Sequence, residues 1–500
     1  MTTTHKDIHG KTYHPIIIMV IILFATFSGS LMQTSLGTAL PTLMKDFDID
    51  LSTAQQATTW FLLANGIVVP VSAYLATRIS TKWLHIFAYS LLLIGLTLSA
   101  ISPSHHDGWS IFLIGRIVTS LAVGIMLPVM QMLIMHMFPP HQRGLTMGLT
   151  GLAVGFAPAL GPTFAGWILS GNHVILGFTL SDSWRNIFIV PIIFVVLALI
   201  LSCFFMKDII PNRKLKLDLY SLFLSSIGLG LFLWGFSNVS TEGWHSVEKV
   251  ILPIVISLIA MTFFIIRQLK LETPFLDLRV FKSRGFTTTT IALVVLTMAM
   301  FGIEMMLPTF LQNVQGLTPF KSGLVLLPGA MMIGLISPIS GALYNKIGIR
   351  RLAFIGFTIL IAASIPFAFL NAHTPLLLVL TLYTVRMFGV AILMMPLTTN
   401  AMESLTVENS THGSAVNNTV RQVAASVAVA LLTSITQNIV NQQLPASHLK
   451  TTDPLAFAEQ AQQASIDGFN AAFLTGLIFA IIGMLLVPFL KQQHSNKEEN

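Results

Sequence analysis

Three ionisable residues, Arg116, Glu304 and Arg386, fall inside long apolar stretches of the chain. A lone carboxyl at bilayer depth costs about 2.5 to 3.5 kcal/mol on insertion scales, so Glu304 has to face a cavity, pair with a neighbouring helix or bind a proton. The last is what a proton carrier needs, and we read proton or cation coupling at Glu304, with a structural carboxyl as the alternative. A guanidinium at such depth needs an acid, backbone carbonyls or water, which applies to Arg116 and to Arg386. Gln33 and Thr34 are polar candidates for a cavity wall, or for hydrogen bonds between helices. Met126, Met130 and Met305 could line an adaptable surface for varied lipophilic ligands, or simply pack. Other chemistry is thin. A single cysteine, Cys203, excludes an intramolecular disulfide and any multi-cysteine metal site. The histidines show no metal-ligand spacing, and no Gly-rich phosphate-binding loop suggests ATP as a direct energy source. No cofactor and no metal are expected. An intramembrane enzyme would need a histidine or paired carboxylates converging at one depth, and the pattern offers neither.

These residues are carried by a chain of 500 residues that is 54% apolar and 9% charged. Soluble globular domains carry roughly 25% charged residues, so this chain belongs in a bilayer. Fourteen continuous apolar stretches, each near the ~20 residues a spanning helix needs, predict an all-α integral membrane protein. A membrane barrel would instead show alternating segments of about ten residues. The first stretch is expected over 15–38, the second over 57–77 and the fifth over 145–169. The formal charge of +7 lies in loops, which argues against a nucleic-acid partner. Alternate connections hold most of the basic residues, among them Lys6, Arg78, Lys207, Arg279, Lys346 and Arg421. The opposite connections hold few: Lys45, Arg185, Lys249, Lys321 and Lys450. By the positive-inside rule both termini are cytoplasmic, and the protein is a multi-pass protein of the cell membrane. The connection 439–466 is expected to form a short surface helix.

Two loop segments align without a gap, Pro70 to Leu84 and Pro338 to Leu352. Leu40-Pro41-Thr42 is echoed by Leu307-Pro308-Thr309, Pro128 by Pro396, and Arg116 by Arg386. Four echoes in order imply two homologous six-helix halves. The chain then divides into a cytoplasmic tail (1–14), an N-terminal six-helix bundle (15–206), a linker with two additional transmembrane helices (207–285), a C-terminal six-helix bundle (286–490) and a second tail (491–500). Parallel repeats of this kind are the plan of a transporter class that alternates access by rocking its halves.

The chain resembles the fourteen-span drug:proton antiporter family of the major facilitator superfamily over almost its whole length. The resemblance rests on the paired basic loops, Arg116, Phe138-Pro-Pro-His-Gln-Arg143-Gly144 and Leu217-Asp218. It rests also on Pro274-Phe-Leu-Asp277-Leu and Gln315-Gly-Leu-Thr-Pro-Phe-Lys-Ser-Gly323. In the fifth stretch Gly151, Gly155, Pro158, Pro162 and Gly166 fall along one helix face, which lets another helix approach closely. The resemblance makes Gly161, Pro162 and Gly166 candidate conformational residues and implicates Arg116 in proton transfer. It also implies a cytoplasmic loop gate of Arg78, Lys82, Gly341, Asn345, Lys346, Gly348, Arg350 and Arg351. As plain topology determinants, or as ligands of carbonyls and anionic lipid, the same basic residues need no gate. The sequence departs from the family pattern where Thr77 and Asn345 replace the loop's usual acid and Ser80 its usual glycine. It departs again where Met32 replaces a first-span aspartate. The implied function is export of small amphipathic or lipophilic compounds in exchange for protons by a monomer in contact with membrane lipid. The alternatives are export of an endogenous lipid or siderophore-like metabolite, and a membrane sensor or scaffold.

Overall fold

The computed structural model describes residues 5–138, 146, 157–158, 160–175, 177–210, 218–272, 274, 276–405, 407–446 and 449–491. A two-stranded hairpin, β1 (His5–Lys6) and β2 (Thr12–Tyr13), precedes the first helix. That helix runs beyond the expected 15–38. It forms α1 (Pro15–Thr34) and α2 (Leu36–Phe47), which meet at Ser35. Pro41 lies inside α2 and removes one hydrogen bond from the turn before it.

The rest of the first half consists of α3 (Leu51–Arg78), α4 (Thr81–Ile101), α5 (Trp109–Met137), α6 (Leu160–Leu169) and α7 (Asn186–Phe205). A small hairpin, β3 (His173–Ile175) and β4 (Phe178–Leu180), links the last two. The middle of the chain supplies α8 (Leu219–Ser237), the one-turn α9 (Val239–Glu242) and α10 (Leu252–Lys270). The second half is α11 (Arg284–Asn313), α12 (Pro319–Ile347), α13 (Ile349–Ser364), α14 (Leu376–Glu403), α15 (Val407–Gln443), α16 (Leu449–Thr452) and α17 (Pro454–Leu486). Most of the connection expected over 439–466 is therefore absorbed into the ends of α15 and α17, with α16 as its separate short helix.

Among the described residues twelve helices are long and apolar enough to cross a membrane. Fourteen were expected, and the two others are accounted for separately. The stretch 57–77 lies within the 28-residue helix α3, part of whose side chains lie outside what is described. Much of 145–169, including Gly151 and Gly155, lies outside the described residues, and Leu160–Leu169 is helical.

The two halves share a packing device. In the first, a Cβ on Gly95 of α4 would lie 2.9 Å from the Gly115 carbonyl of α5, and one on Gly115 would lie 2.9 Å from the Gly95 carbonyl. In the second, Gly356 of α13 and Gly389 of α14 face each other the same way, 3.2 and 3.0 Å from the opposite carbonyls. Facing glycines let the backbones touch, which is how helices associate where no hydrophobic force drives them together.

The halves meet at the end of the bundle opposite the two termini. Gln312 of α11 donates to the Thr38 carbonyl of α2 at 2.8 Å, and Thr163 of α6 donates to the Gly323 carbonyl of α12 at 3.0 Å. A Cβ on Gly166 would stand 2.8 Å from Phe320 Cα, and one on Gly323 2.7 Å from the Pro162 carbonyl. Halfway along the bundle α3 lies against α15, and Ser426 donates to the Thr59 carbonyl at 2.7 Å. The inserted helices α8 and α10 pair with each other, and α8 rests on α3 and α15. Asp218 caps α8 and accepts from Arg267 Nε and Nη2 of α10 at 2.8 and 3.0 Å, a two-pronged ion pair. Gln268 completes this clasp, donating to Ser221 Oγ at 2.6 Å and accepting from the Leu276 amide at 2.9 Å.

Two expectations follow. Partial burial pulls the Asp218 carboxyl upward, but hydrogen bonds from Arg267 and Ser221 outweigh it and hold it at about 2. A depressed carboxylate stabilises above its ordinary value near pH ~4 and loses that contribution as pH falls toward 2. Asp218→Asn should therefore lower the unfolding temperature equally at pH 7 and pH 5, with the difference closing only below about pH 4; thermal melts across that range check it. Gly323→Leu should force α6 and α12 apart, since overpacking of this kind costs about 1 to 3 kcal/mol. Spin labels at Ser170 and Thr318 in a Cys203→Ser background should report a longer distance, and an unchanged one would show that this contact does not hold the halves together.

Candidate functional site

A cavity of about 190 Å³ lies between the halves, and both supply its wall. From the first come Gln33 and Thr34 of α1, Asn65 of α3, Leu127 and Pro128 of α5, and Pro158 just before α6. From the second come Thr297, Met300, Phe301 and Glu304 of α11, Ala330 and Ile333 of α12, Tyr383, Met387 and Met394 of α14, and Asn418, Arg421 and Gln422 of α15. Apolar and sulfur-bearing side chains make most of this surface, with a few polar groups set into it, the usual composition of a small-molecule site.

Glu304 is the sole carboxylate on the wall among the described residues. Its carboxyl has no hydrogen bond or ion pair among the described residues, while Tyr383 and Arg386 stand within electrostatic reach. The α11 turn that carries it is pressed against α2, where a Cβ on Gly37 would lie 3.5 Å from Met305 Sδ and 3.8 Å from Pro308. The helices that carry the two echoed Leu-Pro-Thr segments thus pack on one another at the junction of the halves. On the facing wall Thr34 donates to the Pro158 carbonyl. Asn65 is fully buried, and neither atom of its side-chain amide has a hydrogen-bond partner among the described residues.

Four expected wall residues are placed elsewhere. Met126 and Met130 face the interior of the first half, where Met130 packs with Ile18, Ile22 and Leu133, while their neighbours Leu127 and Pro128 line the cavity. Met305 is turned toward α2, as its contact with Gly37 requires. Arg386 is buried and donates to the Ala299 carbonyl and to Ser364 Oγ, so Tyr383 and Met387 of the same helix reach the cavity in its place. Arg116 is fully buried on α5 with its guanidinium carbon 4.3 Å above the Phe61 ring, and its three nitrogens have no hydrogen-bond partner among the described residues.

Arg421 is the larger correction. The charge pattern places it with the cytoplasmic loop residues, yet it sits within α15 on the cavity wall. Asn65, Asn418, Gln422 and Tyr383 carried no signal beyond being polar in an apolar run.

The small-residue face of the fifth stretch has a specific use. Pro158 borders the cavity, the Pro162 carbonyl abuts Gly323, and Gly166 abuts Pro319 and Phe320. Gly161 faces the other way, where a Cβ would lie 2.9 Å from the Leu31 carbonyl of α1. The segment is therefore clamped between its own half and the opposite one.

At the end bearing the termini, Lys82 Nζ donates to the Cys203 carbonyl at 2.7 Å and the Lys82 amide to Asp208 at 3.1 Å. Arg350 Nε donates to the Leu490 carbonyl at 2.5 Å, so both cations serve the last turns of neighbouring helices. Lys346 and Arg351 are exposed, Gly348 joins α12 to α13 at φ 81°, and the side chain of Asn345 lies outside what is described. Where the loop lacks its acid, Tyr344 Oη donates to Glu403 at the end of α14 at 2.5 Å and lies 3.2 Å from Asn400 Oδ1.

The comparisons agree with this architecture. The Major Facilitator Superfamily matches residues 22–429. A Bacillus subtilis protein described as an MFS-type transporter, YcnB, is 38% identical over 495 residues, 99% of both chains. The lincomycin resistance protein LmrB of Listeria monocytogenes is 34% identical over 483 residues, 97% of this chain and 98% of that one. The multidrug export protein EmrB of Escherichia coli is 27% identical over 460 residues, 91% of this chain and 86% of its own. Among solved structures, a bacterial homologue of the human lysosomal transporter Spinster, inward-facing and occupied, superposes with a TM-score of 0.65 at 13% identity, covering 95% and 96% of the two chains. A D-xylose-proton symporter gives 0.62 at 14% identity, covering 96% and 99%. Sequence, fold and relatives lead to one conclusion: the chain is a multi-pass membrane transporter, not an enzyme, and belongs to the Major Facilitator Superfamily.

Proposed function

We propose that this protein exports amphipathic or lipophilic compounds across the cytoplasmic membrane in exchange for protons, by alternating access around the central cavity. Its halves cross the membrane with fourteen helices, α3 and the segment ending at Leu169 included, and with both termini in the cytoplasm. The observation that carries the reading is Glu304, a lone carboxylate on a cavity wall shared by both halves. A proton and a basic substrate compete for such a group, which ties release of one to capture of the other. The relatives named for lincomycin resistance and multidrug export favour drug-like cargo over sugars.

The cavity volume fits one stage of such a cycle. Pockets that enclose drug-sized ligands measure ~300 to 1,000 Å³. At about 190 Å³ this one is contracted, and the contacts between α2 and α11 and between α6 and α12 close its far end. Substrate release at that end then requires the halves to part. The glycines at 166 and 323 allow that motion because backbone touches backbone without interlocking side chains. Arg116, buried under Phe61, acts in the first half as a fixed positive charge near the route of the proton.

Export of an endogenous lipid or metabolite is the second reading. It is favoured by the presence of both a cation and an anion on the wall, which a site built solely for lipophilic cations would not need.

The test uses purified protein in liposomes with an imposed pH gradient, following a fluorescent lipophilic cation together with lumenal pH. Wild type should concentrate the dye and consume the gradient. Glu304→Gln should insert normally and abolish uphill flux, by at least about tenfold; full concentrative transport by that variant would remove Glu304 as the coupling group.

A further inference from the structure

Arg421 stands about 21 Å along α15 from Val407, at the usual 1.5 Å per residue, level with the middle of α3. Its neighbour Gln422 fixes that depth, because a Cβ on Gly66 of α3 would lie 3.1 Å from Gln422 Cβ. The guanidinium is poorly served there. Its Nη2 reaches Met394 Sδ at 3.8 Å, a weak acceptor, and its buried Nε has no acceptor among the described residues. No salt bridge is made to it among the described residues, and Glu304, the one carboxylate on the same wall, is not bonded to it. A guanidinium at bilayer depth carries a large penalty unless something compensates it. Arg386 meets that requirement with the Ala299 carbonyl and Ser364 Oγ. Arg421 lines the cavity with only the weak thioether acceptor of Met394 bonded to it among the described residues.

We propose that Arg421 anchors the anionic end of the transported compound, and that the preferred cargo is a zwitterionic amphiphile whose basic end displaces the proton at Glu304. This rests on the reading of the cavity as the substrate site. Two charges of opposite sign on one wall, with Met300, Phe301, Ile333 and Met387 between and around them, match a molecule with two charged ends and an apolar body. A lipophilic monocation would satisfy Glu304 and leave the guanidinium uncompensated. A guanidinium also binds carboxylate or phosphate by paired, charge-assisted hydrogen bonds, which gives the anionic end a defined orientation.

The experiment compares two dyes that differ in one group: rhodamine B, a zwitterion with a free carboxylate, and its ethyl ester, a monocation. Binding to the full chain in lipid nanodiscs is read at equilibrium by fluorescence anisotropy. Wild type should bind the acid at least about tenfold more tightly than the ester, and Arg421→Gln should bring that ratio close to one. Arg421→Lys should keep a reduced preference, because it keeps the charge and loses the fork. If the glutamine variant fails to fold, Arg421→Met makes the same comparison. Equal ratios in wild type and the neutral variant, a preference for the ester in wild type, or no binding of the acid would each overturn the proposal. No gradient is present, so the outcome is separate from proton-driven flux: a protein that binds the acid through Arg421 but moves no proton would overturn the exchange reading and leave the anchor standing.

Discussion

An ion inside hydrocarbon must be matched by a partner, a cavity or a proton, and the placement of every other element around the centre of this protein follows from how that requirement is met. Four such groups stand among the described residues, met in three ways. Arg116 is covered by the face of Phe61, Arg386 is held by the Ala299 carbonyl and Ser364, and Glu304 and Arg421 open on the cavity. The first pair are fixtures within a half. The second pair lie where the halves face each other, so their surroundings change whenever the halves move.

That motion depends on a second constraint, the absence of a hydrophobic force between helices in lipid. Close backbone contact replaces it. Gly95 with Gly115 and Gly356 with Gly389 bind helices within each half, while Gly166 and Gly323 bring the halves together at one end. Within a half the glycines face each other in symmetric pairs. Between halves the contact is lopsided, with α6 meeting the first turn of α12, and its prolines leave carbonyls unbonded within their own helix. A junction made of backbone has few side chains to disentangle when it opens. The clasp of Asp218, Arg267, Gln268 and Ser221 lies outside this junction and fastens the inserted helices to each other, so they can travel as a unit.

The sequence made the membrane class and the repeat plain, because hydropathy and the Leu-Pro-Thr, Pro and Arg echoes survive without knowledge of packing. It also singled out Glu304, Gln33 and Thr34 as wall candidates, and all three line the cavity, whereas Pro158 was expected only on the small-residue face. The methionines failed for a geometric reason: an apolar residue gives no sign of which face it occupies, and Met126 and Met130 point into the half while Leu127 and Pro128 point out of it. Arg421 failed because charge was read as loop, although α15 runs through it; its value lies in breaking the positive-inside pattern. The Tyr344 to Glu403 bond was hidden for another reason, since partners 59 residues apart on different helices leave no local spacing to read.

If Glu304 exchanges a proton for substrate as proposed, its presence with Arg421 on one wall also sets the electrical character of transport. With Glu304 ionised the two charges cancel, and the empty cavity is neutral. A bound proton leaves the positive charge of Arg421, and a bound monocation leaves the same charge, so exchanging one for the other moves no net charge and draws on the pH difference alone. A zwitterion keeps the cavity neutral. Exchange of one proton for one zwitterion then carries one charge per turnover and draws on the membrane potential too, about 2.3 kcal/mol for each 100 mV. The same carboxylate can therefore run an electroneutral or an electrogenic cycle according to whether the cargo brings a counter-charge for Arg421. A wall with Glu304 alone would allow only a cation to take the proton's place.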